Sequence, residues 1–378
     1  MKMKKLLFLI HDLGHGGAEK VLVNLVNNMD STQFDITIMA LFGGGVNEQF
    51  LKPHIRLINI FPKAFPGNSH AMKLLSPKAL HCWFIKEKYD IEVAYLEGPS
   101  ARVISGCPDE KTKKLCWIHS TMNSKKQIAS GFLGADEAQR CYGKMDAMVF
   151  VSESVRNAFL SHCPYDGKSY VLYNTNESAK ILADAADCQT DLDDASEQLR
   201  WCGVGKLVSI KGFDRMIRIQ ARLKAEGIYS HLYILGEGPM RAELESLAEK
   251  CGVLDSLTFL GYQTNPYKYV SKCDLFVCAS HAEGFSTAAT EALIVGTPVC
   301  TVEVSGMKEM LGENNEWGIV TENSEEALYQ GIKRLLSDPE LLAYYKEKAT
   351  QRGQCFSTEN TVRAVEEMLL DLRGRNGN

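Results

Sequence analysis

Lys5-Leu-Leu-Phe-Leu-Ile-His-Asp-Leu-Gly-His-Gly-Gly-Ala-Glu-Lys-Val-Leu-Val-Asn-Leu-Val-Asn-Asn-Met29 decides the class of fold. Residues 6–10 are a continuous apolar run, residues 11–17 carry turn chemistry, and Val21, Leu22, Leu25, Val26 and Met29 then recur at helical spacing. Strand, glycine-rich turn and amphipathic helix in that order form the first half of a βαβ unit. An apolar run this short, with no small-residue cleavage site after it, reads as a buried strand and no signal peptide. No stretch of the sequence approaches the roughly 20 apolar residues that crossing a bilayer takes.

The same rhythm continues outward. Apolar runs at 34–41, 91–95, 114–118, 147–151 and 170–173 alternate with candidate helices such as 78–88, so residues 1–175 read as one parallel sheet covered by helices. From 176 to 200 the chain turns polar and acidic, with Glu177, Asp184, Asp187 and the cluster Asp191, Asp193, Asp194, and this stretch reads as a linker. The alternation resumes over 201–355. Strands are expected at 201–207, 232–236, 257–260, 275–279 and 298–302, with helices at 213–226, 240–251 and 287–294. The amphipathic stretch 358–372 is suited to cap either domain. The expected fold is therefore α/β, two doubly wound Rossmann-like domains, and open sheets of this kind bind ligands at the carboxyl ends of their strands.

Composition bounds the partners. A chain of 378 residues at 45% hydrophobic and 24% charged is globular and too long for one ordinary core. Its 12 cysteines contain no C-x-x-C pair, the pattern of reduced thiols in a cytoplasmic protein, and no zinc site is expected. A net charge of −5 is too mild to call for nucleic acid. Residues 1–175 nevertheless carry 21 basic against 16 acidic side chains, and the remainder 21 against 31, so the halves differ in sign. Either the front half faces something anionic, such as a membrane surface, or the asymmetry is solvated charge alone.

The strongest chemical signal is Glu283-Gly-Phe-Ser-Thr-Ala-Ala-Thr-Glu291, running from a strand end into a helix. Ser286 or Thr287 can cap that helix, leaving free N–H groups and the positive dipole end for an anion such as phosphate. Glu291, inside the helix, can accept hydrogen bonds from vicinal ribose hydroxyls, while Glu283 sits nearer whatever is attached beyond the phosphates. Upstream, Gly203-Val-Gly205-Lys206-Leu207 and Lys211-Gly212-Phe213-Asp214 place two cations at another strand end, able to neutralise a diphosphate as it departs. Leu235-Gly236-Glu237-Gly238-Pro239 permits a close backbone approach to a ligand. Taken singly, each of these has an ordinary structural explanation: solvated lysines, an exposed glutamate, a common strand-to-helix turn.

Gly14-His15-Gly16-Gly17-Ala18-Glu19 approximates a dinucleotide fingerprint but puts a carboxylate where glycine or alanine belongs, and no Walker phosphate loop is present. Nicotinamide and kinase-like chemistries therefore lose support. Trp117-Ile118-His119-Ser120 ends an apolar segment, which should bring His119 out at the ligand crevice. Asp191-Leu192-Asp193-Asp194 holds a D-x-D arrangement, yet no apolar strand precedes it, so it reads as a solvated turn and no metal is called for.

Together these motifs resemble the retaining glycosyltransferases of the GT-B fold that build bacterial capsule, exopolysaccharide and lipopolysaccharide. The resemblance runs from residues 16–19 through Trp117-Ile118-His119, Val151-Ser152, Gly205-Lys206-Leu207, Lys211 to Asp214, Leu235 to Pro239 and Phe259-Leu260-Gly261 to the Glu283–Glu291 block and Gly296-Thr297-Pro298-Val299. It implies a hexosyltransferase with two Rossmann-like domains facing each other across a cleft. The front domain would take the acceptor, the rear domain the nucleotide sugar, and the last helix, about 356–378, would cross back to the front. By the same resemblance Lys206 and Lys211 bind the diphosphate, with Gly16, Gly17 and Gly236 approaching the donor. Glu291 holds the ribose, backbone around Leu260 to Tyr262 the base, and Glu283 with the amides of Phe285, Ser286 and Thr287 the sugar. His119, Lys211 and Glu283 are the candidate catalytic residues. Arginine is the commoner first cation, and Lys206 offers a point charge where arginine gives a fork.

The implied partners are a nucleotide diphosphate sugar, UDP-linked by family frequency, and a saccharide or lipid-diphosphate-linked acceptor, with no cofactor and no metal. Domain closure about the linker is implied too. The stretch 62–90 interleaves Lys63, Lys73, Lys78, Lys86 and Lys88 with Phe65, Leu74, Leu75, Leu80, Trp83 and Phe84, a candidate surface for anionic lipid on the inner face of the cell membrane. An ordinary half-buried helix with solvated lysines explains it equally well. Two other functions share the fold: a nucleotide-sugar epimerase or hydrolase, and a noncatalytic partner subunit, against which the intact lysines and glutamates argue.

Overall fold

The computed structural model describes residues 3–14, 16–64, 72–187, 192 and 198–372. The chain divides into two compact units, Met1–Asn176 with Thr358–Asn378, and Glu177–Ser357.

The first unit is built on strands β1 (Lys4–Ile10), β2 (Phe34–Phe42), β3 (Arg56–Phe61), β4 (Ile91–Ala94), β5 (Lys113–Ile118), β6 (Ala147–Phe150) and β7 (Lys168–Val171). They pair in the order β3-β2-β1-β4-β5-β6-β7, every pair parallel. Helices on both faces explain why β1 is a run of five fully buried apolar residues, Leu6 to Ile10, and shows no alternation. The last helix, Thr358–Asp371, belongs to this unit and buries Val362, Val365, Met368 and Leu369.

The second unit repeats the plan with β8 (Leu199–Val204), β9 (Ser230–Leu235), β10 (Leu257–Gly261), β11 (Leu275–Cys278), β12 (Val299–Val302) and β13 (Ile319–Thr321). Their order is β10-β9-β8-β11-β12-β13, again parallel throughout. In both units the strand order reverses beside the first strand, between β1 and β4 and between β8 and β11. That reversal is the topological switch point, where connections diverge to opposite faces and leave a crevice.

Three readings of the sequence need correction. β3 was not anticipated, because it is an edge strand whose half-exposed residues lie between Pro53 and Pro62 and carry no buried run. β13 is three residues long and gives no periodic signal. The stretch 176–200 is not merely a linker: Ser178–Ala185 is a helix that buries Ile181 and belongs to the second unit, where the Asp184 carbonyl accepts from Asn265 at 2.8 Å and the Ala185 carbonyl from Ser271 at 3.3 Å. Asp191, Asp193 and Asp194, like Phe65 of the candidate lipid surface, lie outside the described residues.

Candidate active site

In the second unit, the loops leaving β8 and β11 flank the switch point and carry the two strongest signals of the sequence. Gly212 holds a left-handed conformation (φ 66°), and a Cβ there would overlap the Ala279 carbonyl at the end of β11. Glycine thus lets the two loops close on each other, and His281 N donates to Ile210 O at 2.7 Å across the join. That approach brings Lys211 Nζ to 2.6 Å from Glu283 Oε1, where Ser280 Oγ also donates at 2.6 Å. The Glu283 side chain is 11% exposed and that of Lys211 31%, so the carboxylate is largely enclosed while the ammonium still reaches solvent.

Three residues on, Ser286 caps the helix Thr287–Ile294, its hydroxyl accepting from Ala289 N at 3.3 Å. Phe285 and Ser286 are buried, and Gly306 (φ 80°) lets the loop after β12 lie against the Gly284 carbonyl and the Phe285 ring. Glu291 is buried on this helix and receives the Tyr267 hydroxyl at 3.0 Å, which excludes the exposed surface glutamate as its description. Backbone contacts join the loops after β8, β9 and β10: Gly236 N donates to Gly261 O at 2.7 Å, and a Cβ on Gly236 (φ 138°) would overlap Gly205 O. On this run of loops lie exposed Lys206 and Tyr262, with half-buried Leu260 near the end of β10, and the Leu260 carbonyl already accepts from Gln263 at 2.7 Å. A cavity of about 410 Å³, lined by Ser209, Asp214, Arg218, Met240, Lys250 and His281, lies beside these loops and includes neither Glu283 nor Glu291.

In the first unit, Gly16 is the N-cap of the helix Gly17–Asn28 and offers no side-chain cap. The Glu19 carboxylate folds back over that helix start, so that a Cβ on Gly16 would overlap it. Burial pushes the Glu19 pKa up, a backbone hydrogen bond within Glu19 opposes the rise, and the Asp12 charge adds to it. A phosphate approaching Gly16 and Gly17 therefore meets a carboxyl group that must turn aside or carry a proton.

His119 follows β5, with its backbone N–H donating to Glu97 Oε2 at 3.0 Å and its ring 4.8 Å from Tyr95 and 6.2 Å from Trp117 between centroids. Burial pushes the imidazole pKa down to about 3, so the ring is neutral at physiological pH. His119 Nε2, Tyr95 Oη and Trp117 Nε1 are enclosed and have no hydrogen-bond partner among the described residues. A neutral ring of this kind can give or take a hydrogen bond but cannot serve as a cationic acid.

Sequence reasoning missed Ser280 and Tyr267. Ser280 lies three residues before Glu283 in Cys278-Ala-Ser-His-Ala-Glu283 and could have been suspected as a short polar residue at a strand end. Tyr267 reaches Glu291 from 24 residues away and gives no local signal.

Residues 193–352 match the model of the glycosyl transferases group 1, and residues 15–175 that of glycosyltransferase family 4. The chain belongs to the GT-B glycosyltransferases. This glycosyltransferase is 29% identical to the N-acetylgalactosamine-N,N'-diacetylbacillosaminyl-diphospho-undecaprenol 4-alpha-N-acetylgalactosaminyltransferase of Campylobacter jejuni, covering 97% of this chain and 100% of the relative. It is also 29% identical to the lipopolysaccharide core biosynthesis glycosyltransferase LpsD of Rhizobium meliloti, over 50% of this chain and 52% of the relative. Among solved structures, HepE of Anabaena in complex with UDP superposes with a TM-score of 0.77 at 18% identity, over 97% of this chain and 99% of that one. No helix among the described residues of the glycosyltransferase is long and apolar enough to cross a membrane.

Proposed function

We propose that this glycosyltransferase moves a hexosyl unit, with retention and without a metal, from a UDP-sugar to a saccharide or lipid-diphosphate-linked saccharide in surface polysaccharide biosynthesis. The observation that carries the reading is the Lys211–Glu283–Ser280 cluster beside the capped start of Thr287–Ile294 at the β8/β11 switch point. An enclosed carboxylate held by an ammonium that stays solvent-accessible is suited to a donor whose sugar hydroxyls bind the carboxylate and whose diphosphate binds the ammonium. Buried Glu291, oriented by Tyr267, is suited to the ribose.

In the transfer, the bond from the anomeric carbon to the diphosphate breaks and the acceptor oxygen bonds to that carbon on the face the diphosphate leaves. The acceptor proton passes to an oxygen of the departing diphosphate. Lys211, Lys206 and the helix amides stabilise the charge that grows on it. The C. jejuni relative is named for a diphospho-undecaprenol-linked substrate, which supports a lipid-linked acceptor here. Leu74 and Trp83, 87% and 54% exposed among lysines, support contact with anionic lipid at the inner membrane face.

Thermal melting across UDP- and GDP-sugars, followed by product analysis with a lipid-diphosphate saccharide, tests the reading. Stabilisation by UDP-sugars and an α-linked product from an α-linked donor are expected. Conversion of the donor alone, with no acceptor product, would replace transferase by epimerase or hydrolase. Flotation with anionic liposomes at low salt tests the membrane contact separately.

A further inference from the structure

Away from the residues discussed so far, three potential ligands of different chemistry meet in the first unit. His81 lies in the helix Pro77–Phe84, Glu92 is the second residue of β4, and Cys107 follows the helix Pro99–Ile104. An imidazole nitrogen, a carboxylate oxygen and the thiol sulfur of these residues all lie within 4.8 Å of one another. The sequence gives no hint of it, since 10 and 14 residues separate the three. Gly106 makes the meeting possible: it packs on the backbone of Pro77 and Lys78, where any Cβ would overlap, and so sets Cys107 against the helix that carries His81.

The cluster is expensive without a ligand. Glu92 is 1% exposed in the middle of a parallel sheet and His81 6%, joined through Nε2 and Oε2 at 2.8 Å. The other ring nitrogen, Nδ1, is enclosed and has no hydrogen-bond partner among the described residues. A cation shared by His81 and Glu92 would replace the proton between Nε2 and Oε2, and Nδ1, on the other edge of the ring, would not be its ligand. The Cys107 thiol donates over a long 3.8 Å to the Asp109 carbonyl and also interacts with the His81 ring, and its half-buried position leaves a path in from solvent.

We propose that His81, Glu92 and Cys107 form a site for a zinc-like divalent cation that ties the helix Pro77–Phe84 to β4 and to the loop after Pro99–Ile104. Nitrogen, oxygen and sulfur donors together suit zinc or cobalt(II), and are too soft a set for magnesium or calcium. A thiolate and a carboxylate also balance a dication, leaving a neutral site as burial requires. Three protein ligands leave a fourth position for water. Glu92 stands at the amino-terminal half of β4, whereas Tyr95, Glu97 and His119 stand beyond the carboxyl ends of the strands, so the role is structural and separate from sugar transfer.

The test uses the full chain, stripped with chelator and titrated with zinc(II) or cobalt(II). One tightly bound metal per chain is expected, with a near-ultraviolet thiolate-to-cobalt charge-transfer band and a raised melting temperature. Cys107→Ser should abolish the band and weaken zinc binding at least about tenfold. On the unaltered protein, saturating zinc should slow alkylation of Cys107, read by peptide mass spectrometry, and leave exposed Cys355 unaffected. A charge-transfer band that persists in Cys107→Ser, or Cys107 alkylation indifferent to zinc, overturns the proposal, whatever becomes of the transferase reading.

Discussion

Among single residues, Lys211 and Glu283 carry the sharpest expectation. If the ammonium steadies a leaving diphosphate, Lys211→Ala lowers kcat by about a hundredfold or more, the usual effect of losing one preorganised donor. Its melting temperature should fall modestly, because the enclosed Glu283 carboxylate loses its cation but keeps the Ser280 hydrogen bond. Steady-state rates and thermal melts on the same preparation decide it, and normal turnover would remove the pair from the chemistry. His119 makes a different prediction. Unfolded, it takes a proton near its ordinary value of 6.5, whereas folded it stays neutral to about 3. Between those values the unfolded state binds more protons, so stability rises with pH up to about 6.5 and His119 adds no slope above it. Urea unfolding at pH 5 and pH 7 should show that loss on acidification diminished in His119→Phe; an unchanged loss would mean the ring is solvated. The sequence exposed Lys211 and Glu283 because each stands next to a glycine shortly before a helix start, and His119 because it directly follows an apolar run. It concealed Tyr267 and Ser280 because their roles exist only once separate loops have met.

At the scale of elements, legibility followed burial. Runs enclosed on both faces, such as β1 and β5, could be placed from hydrophobicity alone, whereas β8, half-buried at its start, begins two residues and ends three before its expected place, and the helix Thr287–Ile294 begins and ends where its capping serine and apolar spacing put it. The edge strand β3 and the alanine-rich helix Ser178–Ala185 escaped because each hides little apolar surface, and only their neighbours stabilise them. The cap itself is testable. Ser286→Ala removes the acceptor for Ala289 N and should cost about 1 kcal/mol in chemical denaturation. Gly236→Ala should cost more, because it asks an alanine to adopt φ 138° and to overlap Gly205 O. If the loops after β8 and β9 are as closely packed as this, donor-induced stabilisation falls in Gly236→Ala and survives in Ser286→Ala.

For the whole molecule, two sheets of the same strand order raise the question of which parts of the chain each needs. The last helix answers it for the first unit. Thr358 Oγ1 donates to Asn176 O at 2.7 Å, Lys4 Nζ to Leu369 O at 3.0 Å, and Glu366 Oε1 accepts from Asp30 N at 2.6 Å, so the helix bonds to the start of β1 and to the turn before β2. Val365 is fully buried. Val365→Asp would place an unpaired carboxylate there, a change of the kind that costs several kcal/mol. The expected result is local. Hydrogen exchange should quicken in β1, β2 and Gly17–Asn28 and stay unchanged over residues 199–353, which belong to the other unit. Uniform destabilisation of both units would mean that they fold as one cooperative body, and protection of β1 left intact would mean that the helix is dispensable to the sheet it covers.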